Sequence, residues 1–298
     1  MRGPTIAVLL MASCLAAPAR ASLPYNLSTM LDSALQSNNE TDIVTIAKYI
    51  RMVAPNDVAE VDDRITAWRD QRTKAQKQAV IEAGPLQLWK GRADIGGFIT
   101  TGNTDSLGLT AGVDVKREGL DWRHRIRARV DYQRDNGVAT REAYLASWEP
   151  SYKINERLSV VGLGQFERDP FLGYDERFSA GVGVGYRAVT TRRLTVDVNA
   201  GPAIRFTNFT DGAQQDSPAG RASATIAFAL TPTLKLTNDS AAYFDSLNNT
   251  VTSMSAVDAK LIGPLSARLS YNIQYEGNPP AGRKTVDTQT RASLVYNF

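Results

Sequence analysis

Four arginines at alternate positions are the residues of this chain best suited to bind charge. They are Arg123, Arg125, Arg127 and Arg129, in the segment DWRHRIRARVDYQR at residues 121–134. Guanidinium groups bind phosphates and carboxylates through paired hydrogen bonds, so such a run can contact a nucleic acid or line a passage for anions. A spacing of two places all four on one face of a β-strand. The opposite face is mostly apolar, which favours a strand with one face turned inward over a basic surface patch.

Groups for catalysis or metal binding are scarce. The chain has one histidine, His124, and one cysteine, Cys14. A phospholipase at a membrane surface needs a nucleophile and a histidine base, but His124 shares the apolar face of its segment with Trp122 and Ile126. An enzyme is therefore the least favoured hypothesis, and we expect no zinc site and no cofactor.

The first 21 residues are organised as a secretory signal peptide. Arg2 precedes an apolar run from Thr5 to Ala17, and Ala19-Arg20-Ala21 forms a cleavage signal. We expect cleavage after Ala21, with lipidation of Cys14 as the less favoured alternative. The exported chain would then contain no cysteine and no disulfide.

Residues 22–85 have the hydrophobic spacing of helices. Ile43, Ile46, Ala47 and Ile50 share one helix face, and Val58, Val61, Ile65 and Trp68 repeat the pattern after Pro55. A shorter helix is expected around residues 28–36. We therefore predict a small helical segment, placed in the periplasm by the signal peptide before it.

From residue 87 the hydrophobic period changes to two and stays so to the end. Twelve alternating stretches lie at about 87–101, 105–117, 121–134, 140–153, 157–168, 176–188, 193–207, 219–230, 233–245, 249–261, 265–276 and 285–298. Strands that cross a bilayer at a tilt need ~9–11 residues. The connections after even-numbered stretches look shorter than those after odd-numbered ones, as in barrels with both termini in the periplasm.

These observations predict an all-β fold, an antiparallel up-and-down transmembrane β-barrel of about twelve strands over residues 86–298. In such a barrel the apolar face meets lipid and the polar face lines the lumen. The alternative, a soluble sandwich, leaves sheet edges to protect. The last strand places Leu294, Tyr296 and the terminal Phe298 on one face, a pattern that resembles the assembly signal of outer-membrane barrels.

The segment WKGRADIGGFITTGNTD at residues 89–105 carries a family resemblance. Trp89, Gly91 and the run Gly102, Asn103 and Thr104, followed by alternating strands to a terminal Phe, resemble the salt-induced outer-membrane protein family. The resemblance covers about residues 86–298. It implies an outer-membrane barrel and a tie to salt or osmotic stress, and it brings no catalytic residues.

The lumenal face is where we expect function. Arginines assigned to it by parity are Arg92, Arg123, Arg125, Arg127, Arg129, Arg205, Arg221, Arg268 and Arg291. Cations outnumber anions on this face, which favours small anionic solutes, unless the charges pair across the lumen and close it. The net charge of +3 gives no support for nucleic-acid binding. The partners expected are membrane lipid and lipopolysaccharide, the barrel assembly machinery and periplasmic chaperones.

Overall fold

The computed structural model describes residues 22–100, 106–246, 248–279 and 284–298, without the side chains of residues 98–100. The predicted signal peptide and the Gly102, Asn103 and Thr104 part of the family motif lie outside the described residues. The chain divides into two compact units, the first ending at Ala79 and the second running from Val80 to Phe298.

The first unit is built from helices. They are α1 (Tyr25–Gln36), α2 (Glu40–Val53) and α3 (Val58–Glu82), with a 3-10 turn at Pro55–Asp57. The apolar face that predicts α2 is also the face that α2 buries, because Ile43, Ala47 and Ile50 lie in the unit's apolar core. Asn39 caps α2 by accepting a hydrogen bond from the Thr41 amide at 3.0 Å. No helix among the described residues has the length and apolarity that a membrane crossing requires.

The second unit is a closed antiparallel barrel of twelve strands in which each strand pairs with its sequence neighbours and β12 pairs with β1. The strands are β1 (Trp89–Thr100), β2 (Ser106–Glu118), β3 (Trp122–Asp135), β4 (Val138–Lys153), β5 (Leu158–Asp169), β6 (Tyr174–Thr190), β7 (Leu194–Phe209), β8 (Gln214–Ala229), β9 (Leu234–Asp245), β10 (Thr250–Lys260), β11 (Leu265–Glu276) and β12 (Val286–Asn297). The predicted fold class, strand number and up-and-down order are confirmed.

One sequence expectation, the difference in connection length, is wrong for the connections that the structure describes completely. After even-numbered strands, at the end we call the turn rim, the connections have three or four residues. At the opposite end, the loop rim, residues 136–137, 170–173 and 210–213 form connections of two to four. The strands themselves extend further at the loop rim than the polar residues there suggested, because backbone pairing continues through them. Asn136 and Gly137, with φ of 48° and 85°, make a two-residue hairpin in place of the expected loop.

Strand β3 shows how the period of two sorts side chains in the barrel. Arg125 points inward and is only 8% exposed, whereas Ile126 and Val130 on the other face are about 40% exposed. A lipid-facing surface explains this inversion, since in a water-soluble sheet the apolar side chains would be the buried ones.

The barrel closes where the family motif meets the chain end. The Gly91 amide donates to the Phe298 carbonyl at 2.8 Å, and the Phe298 amide donates to the Gly91 carbonyl at 2.9 Å. Leu294, Tyr296 and Phe298 are each about half exposed on the outer face, and the rings of Tyr296 and Phe298 are stacked 6.3 Å apart. Trp89 donates from its indole nitrogen to the Pro85 carbonyl at 2.9 Å.

Candidate functional site

A cavity of about 210 Å³ lies inside the barrel, and every strand contributes to its wall. Its wall carries ten arginines and seven acidic residues, so the charge around it is net positive. Eight of the nine arginines assigned to the lumen by parity are in this wall: Arg92, Arg125, Arg127, Arg129, Arg205, Arg221, Arg268 and Arg291.

The ninth arginine, Arg123, lies beside the first turn-rim connection. Its guanidinium contacts Glu118 at 2.6 Å (Nε–Oε2), and Lys153 contacts the same carboxylate at 2.5 Å. Arg123 does not line the cavity. The alternation of residues therefore gives the strand face of Arg123 correctly. Arg123 is too close to the turn rim, however, to be part of the cavity wall.

Arg125 bridges the barrel from one wall to the other. It contacts Asp114 on the neighbouring strand β2 (Nη2–Oδ2 2.8 Å) and Asp239 on β9 (Nη1–Oδ1 3.0 Å). Since β3 and β9 are six positions apart in a ring of twelve, these strands are on opposite sides of the lumen. Thr225 donates to Asp239 at 2.9 Å and Arg92 contacts Asp114 at 3.1 Å, so the bridge belongs to a larger polar network.

A second bridge crosses the lumen through Glu149 on β4. This carboxylate contacts Arg127 on β3 at 2.6 Å and Arg221 on β8 at 3.3 Å. Arg221 also donates to the Tyr243 hydroxyl at 3.2 Å. The two bridges together narrow the middle of the lumen, because each joins strands that are not neighbours.

A buried cluster fills part of the lumen towards the loop rim. Arg177 on β6 contacts Glu276 on β11 at 3.3 Å and stacks 3.8 Å above the Tyr174 ring. Arg205 lies 4.5 Å above the Tyr243 ring and donates to Thr250 at 3.0 Å. Cation–π contacts of this kind are strengthened when they are removed from water.

The sequence reasoning missed the two tyrosines of this cluster. Tyr243 shares the parity of Asp239 and Ala241, so alternation was a usable signal for its inward position. Tyr174 falls in a stretch interpreted as a loop, between the expected strands 157–168 and 176–188, and gave no such signal.

Two of the five remaining arginines of the wall, Arg268 and Arg291, also have acidic partners. Arg268 makes a bidentate pair with Asp258 at 2.6 and 2.8 Å, which is the strongest geometry for this contact. Arg291 contacts Asp131 at 2.7 Å and donates to Gln289. Pairing across the lumen, which the sequence left open, is therefore present for Arg125 and Arg221. Arg92, Arg127 and Arg268 pair with carboxylates on neighbouring strands.

His124 is placed on the outer face of β3. Its ring lies between the Trp122 and Trp148 rings, with centroid separations of 6.0 and 6.1 Å. This aromatic row is near the turn rim and outside the lumen. In the part of the chain that the structure covers, no group of three or more His, Cys, Asp or Glu residues is placed to hold a metal ion.

Comparisons with known proteins find a family and several barrels. Residues 93–298 match the family described as "Protein of unknown function, DUF481". The Escherichia coli (strain K12) protein YdiY, described as uncharacterized, is 24% identical over 241 residues, which cover 80% of this chain and 91% of that protein.

Solved structures with some likeness include two outer-membrane proteins. The NanC porin is 10% identical with a TM-score of 0.43, over 69% of this chain and 98% of that one. An outer-membrane channel from Pseudomonas putida F1 is 8% identical with a TM-score of 0.45, over 73% of this chain and 100% of that one.

Proposed function

This chain belongs to the family described as "Protein of unknown function, DUF481", and we propose that it is an outer-membrane barrel whose lumen is a narrow, anion-leaning passage for small solutes. The observation that carries this proposal is the excess of arginines over acidic residues around the internal cavity. Fixed positive charge in a confined lumen lowers the energy of an entering anion and raises that of a cation. The role is non-enzymatic, with the arginines acting through charge alone.

The outer membrane is the location we propose. The support is the band of exposed apolar side chains around the barrel, which would be costly in water and stable in lipid. We propose further that residues 1–21 are removed on export, and that residues 22–85 and both mature termini are periplasmic. Membrane lipid, lipopolysaccharide, the assembly machinery and periplasmic chaperones are the partners this location requires.

A second candidate function, a non-conducting structural or stress-adaptation barrel, is favoured by one specific observation. Arg125 contacts Asp114 beside it and Asp239 on the opposite wall, so the lumen is bridged from side to side. In this alternative the ion pairs stiffen the barrel, and nothing passes.

Conductance of the purified full-length protein in planar bilayers separates the two. Under a potassium chloride gradient, an anion-selective passage should give discrete channels. Their reversal potential should lie closer to the equilibrium potential of chloride than to that of potassium. Replacing both Arg125 and Arg127 by glutamine should move that potential towards cations, because two lumenal charges are removed. Arg123→Gln is the matched control, since this arginine is on the same strand face outside the cavity wall, and it should leave selectivity unchanged.

Three results would decide against the passage or its charge mechanism. No conductance in any salt supports the bridged, non-conducting barrel. A cation-selective wild type contradicts the arginine argument. An equal shift from Arg123→Gln and from the double variant would mean that rim charge, and not the cavity wall, sets selectivity.

The proposed link to salt or osmotic stress rests on the family resemblance and can be tested in cells. We expect the protein's abundance to rise when the producing bacterium is moved to high salt, and a deletion strain to grow more slowly there than at low salt. A sucrose medium of equal osmolarity is the control that separates a salt effect from an osmotic one. Unchanged abundance and growth in both media would contradict the link.

A further inference from the structure

We infer that the loop-rim half of the lumen contains a binding site for a small tetrahedral oxyanion, formed by Arg129, Arg141 and Arg291. The inference rests on the proposed function and deepens it, because it names the class of anion that the lumen selects. Phosphate and sulfate represent this class.

The three arginines come together from different parts of the chain. Arg129 is on β3, Arg141 on β4 and Arg291 on β12, and all three line the internal cavity. Arg291 is close enough to both of the others for their charges to interact. Three like charges repel one another at this range, so the arrangement favours an anion between them.

Within the described part of the chain, these guanidinium groups have hydrogen-bond donors without a partner, which favours a bound ligand. Arg129 and Arg141 form no ion pair or hydrogen bond with the residues that the structure describes, unlike Arg125, Arg127 and Arg268 in the same wall. The Nε–H groups of Arg141 and Arg291 are buried and have no acceptor among the described residues. A buried donor without an acceptor is costly, and an oxyanion would satisfy it.

The acidic residues nearby do not use up this capacity. Asp169 is close enough to Arg141 for their charges to interact, but its Oδ1 accepts from the amides of Phe171 and Leu172 at 3.1 Å each and holds the 3-10 turn at the loop rim. Its role is therefore structural.

Asp131 is a carboxylate of this region that forms a direct ion pair with one of the three arginines, Arg291. It contacts Arg291 at 2.7 Å and accepts from the Thr110 hydroxyl at 2.7 Å, and it is only 5% exposed. It shows that a carboxylate oxygen already fits against Arg291. It also competes with any external anion, which gives the site a built-in limit on affinity.

Space for an anion beside Arg141 comes from a small residue. Ala143 is on the lumenal face of β4 two residues from Arg141 and lines the cavity. Gly112, the strand partner of Arg129, also lines the cavity, but the Asp94 carboxylate lies over it, 2.9 Å from where a Cβ would be. The fork of a guanidinium matches two oxygens of a phosphate or sulfate, which favours these anions over chloride.

Isothermal titration of the folded, detergent-solubilised full chain with inorganic phosphate in a chloride buffer tests the site. We expect saturable binding, and about tenfold or greater weakening in the double variant Arg129→Gln with Arg141→Gln, because charge-assisted hydrogen bonds are lost. Arg187→Gln is the matched control, since Arg187 is lumenal, pairs with Asp197 at 2.9 Å and is outside the cavity wall. It should bind phosphate as the wild type does.

A second variant changes affinity in the opposite direction. Asp131→Asn removes the competing negative charge while its amide oxygen can still accept from Thr110, so phosphate should bind more tightly. No phosphate binding by the wild type, or equal binding by all variants, would overturn the site. Phosphate binding without conductance would support the site and contradict the proposed passage. Anion-selective conductance without phosphate binding would support the passage and contradict the site.

Discussion

Replacing Arg125 by glutamine is expected to lower the free energy of unfolding of the barrel by about 3–5 kcal/mol, because it leaves two buried carboxylates without their shared cation. Asp114 and Asp239 are each only 12% exposed, and Arg125 contacts both. The glutamine is shorter than arginine and uncharged, so it cannot bridge the two walls. The same variant should conduct more in planar bilayers, because the bridge across the lumen is gone.

Urea unfolding of the protein in lipid vesicles, followed by tryptophan fluorescence, measures this loss. Arg123→Gln is again the control, because Arg123 pairs at the rim with Glu118, whose side chain is 55% exposed, and exposed pairs contribute about 0–1 kcal/mol. A double variant that also carries Asp239→Asn should recover part of the stability, since Asp239 then has no charge and Asp114 still contacts Arg92 at 3.1 Å. If Arg125→Gln is as stable as the control, the bridge does not brace the barrel.

The alternation of residue types was enough to predict the barrel and the direction of most side chains. A period of two, kept over twelve stretches, has few physical explanations other than a sheet with two unlike faces. Each stretch is long enough to cross a bilayer, and closure in lipid leaves no sheet edge exposed. Arg125, Arg127 and Arg129 therefore line the cavity as their parity indicated.

The partners of those arginines could not be predicted in the same way. Parity gives the face of a side chain but not its height in the barrel, which depends on strand register and on closure between β1 and β12. The contact between Arg125 and Asp239 spans 114 residues of sequence and exists only because β3 and β9 face each other. For the same reason, the sequence alone could not distinguish Arg123, at the rim, from its three neighbours.

Gly91 is a position where a single methyl group should hinder closure of the barrel. A Cβ there would lie 2.6 Å from the Asp114 carbonyl oxygen and 2.7 Å from the Val115 Cγ1 on β2. On its other side Gly91 makes both backbone hydrogen bonds to Phe298. Strand β1 is therefore held between two neighbours, and moving away from β2 pushes it against the chain end.

Gly91→Ala is accordingly expected to cost about 1–3 kcal/mol of stability through overpacking and to slow barrel closure. The pairing of β1 with β12 is shorter than its pairing with β2, running only from Arg92–Asn297 to Gly96–Ser293, so the strain falls on the weaker seam. Refolding from urea into vesicles, scored by the faster migration of closed barrels on unheated gels, gives both the rate and the folded yield.

Gly164→Ala is the matched control for this experiment. A Cβ at Gly164, on β5, would meet no atom within 4 Å, so the same methyl group enters open space. This variant should fold as well as the wild type or slightly better, since alanine restricts the unfolded chain more than glycine does. Equal folding rates and yields for the two variants would mean that the close contact at Gly91 is relieved without cost, and that the seam between β1 and β12 tolerates a side chain where the family motif has none.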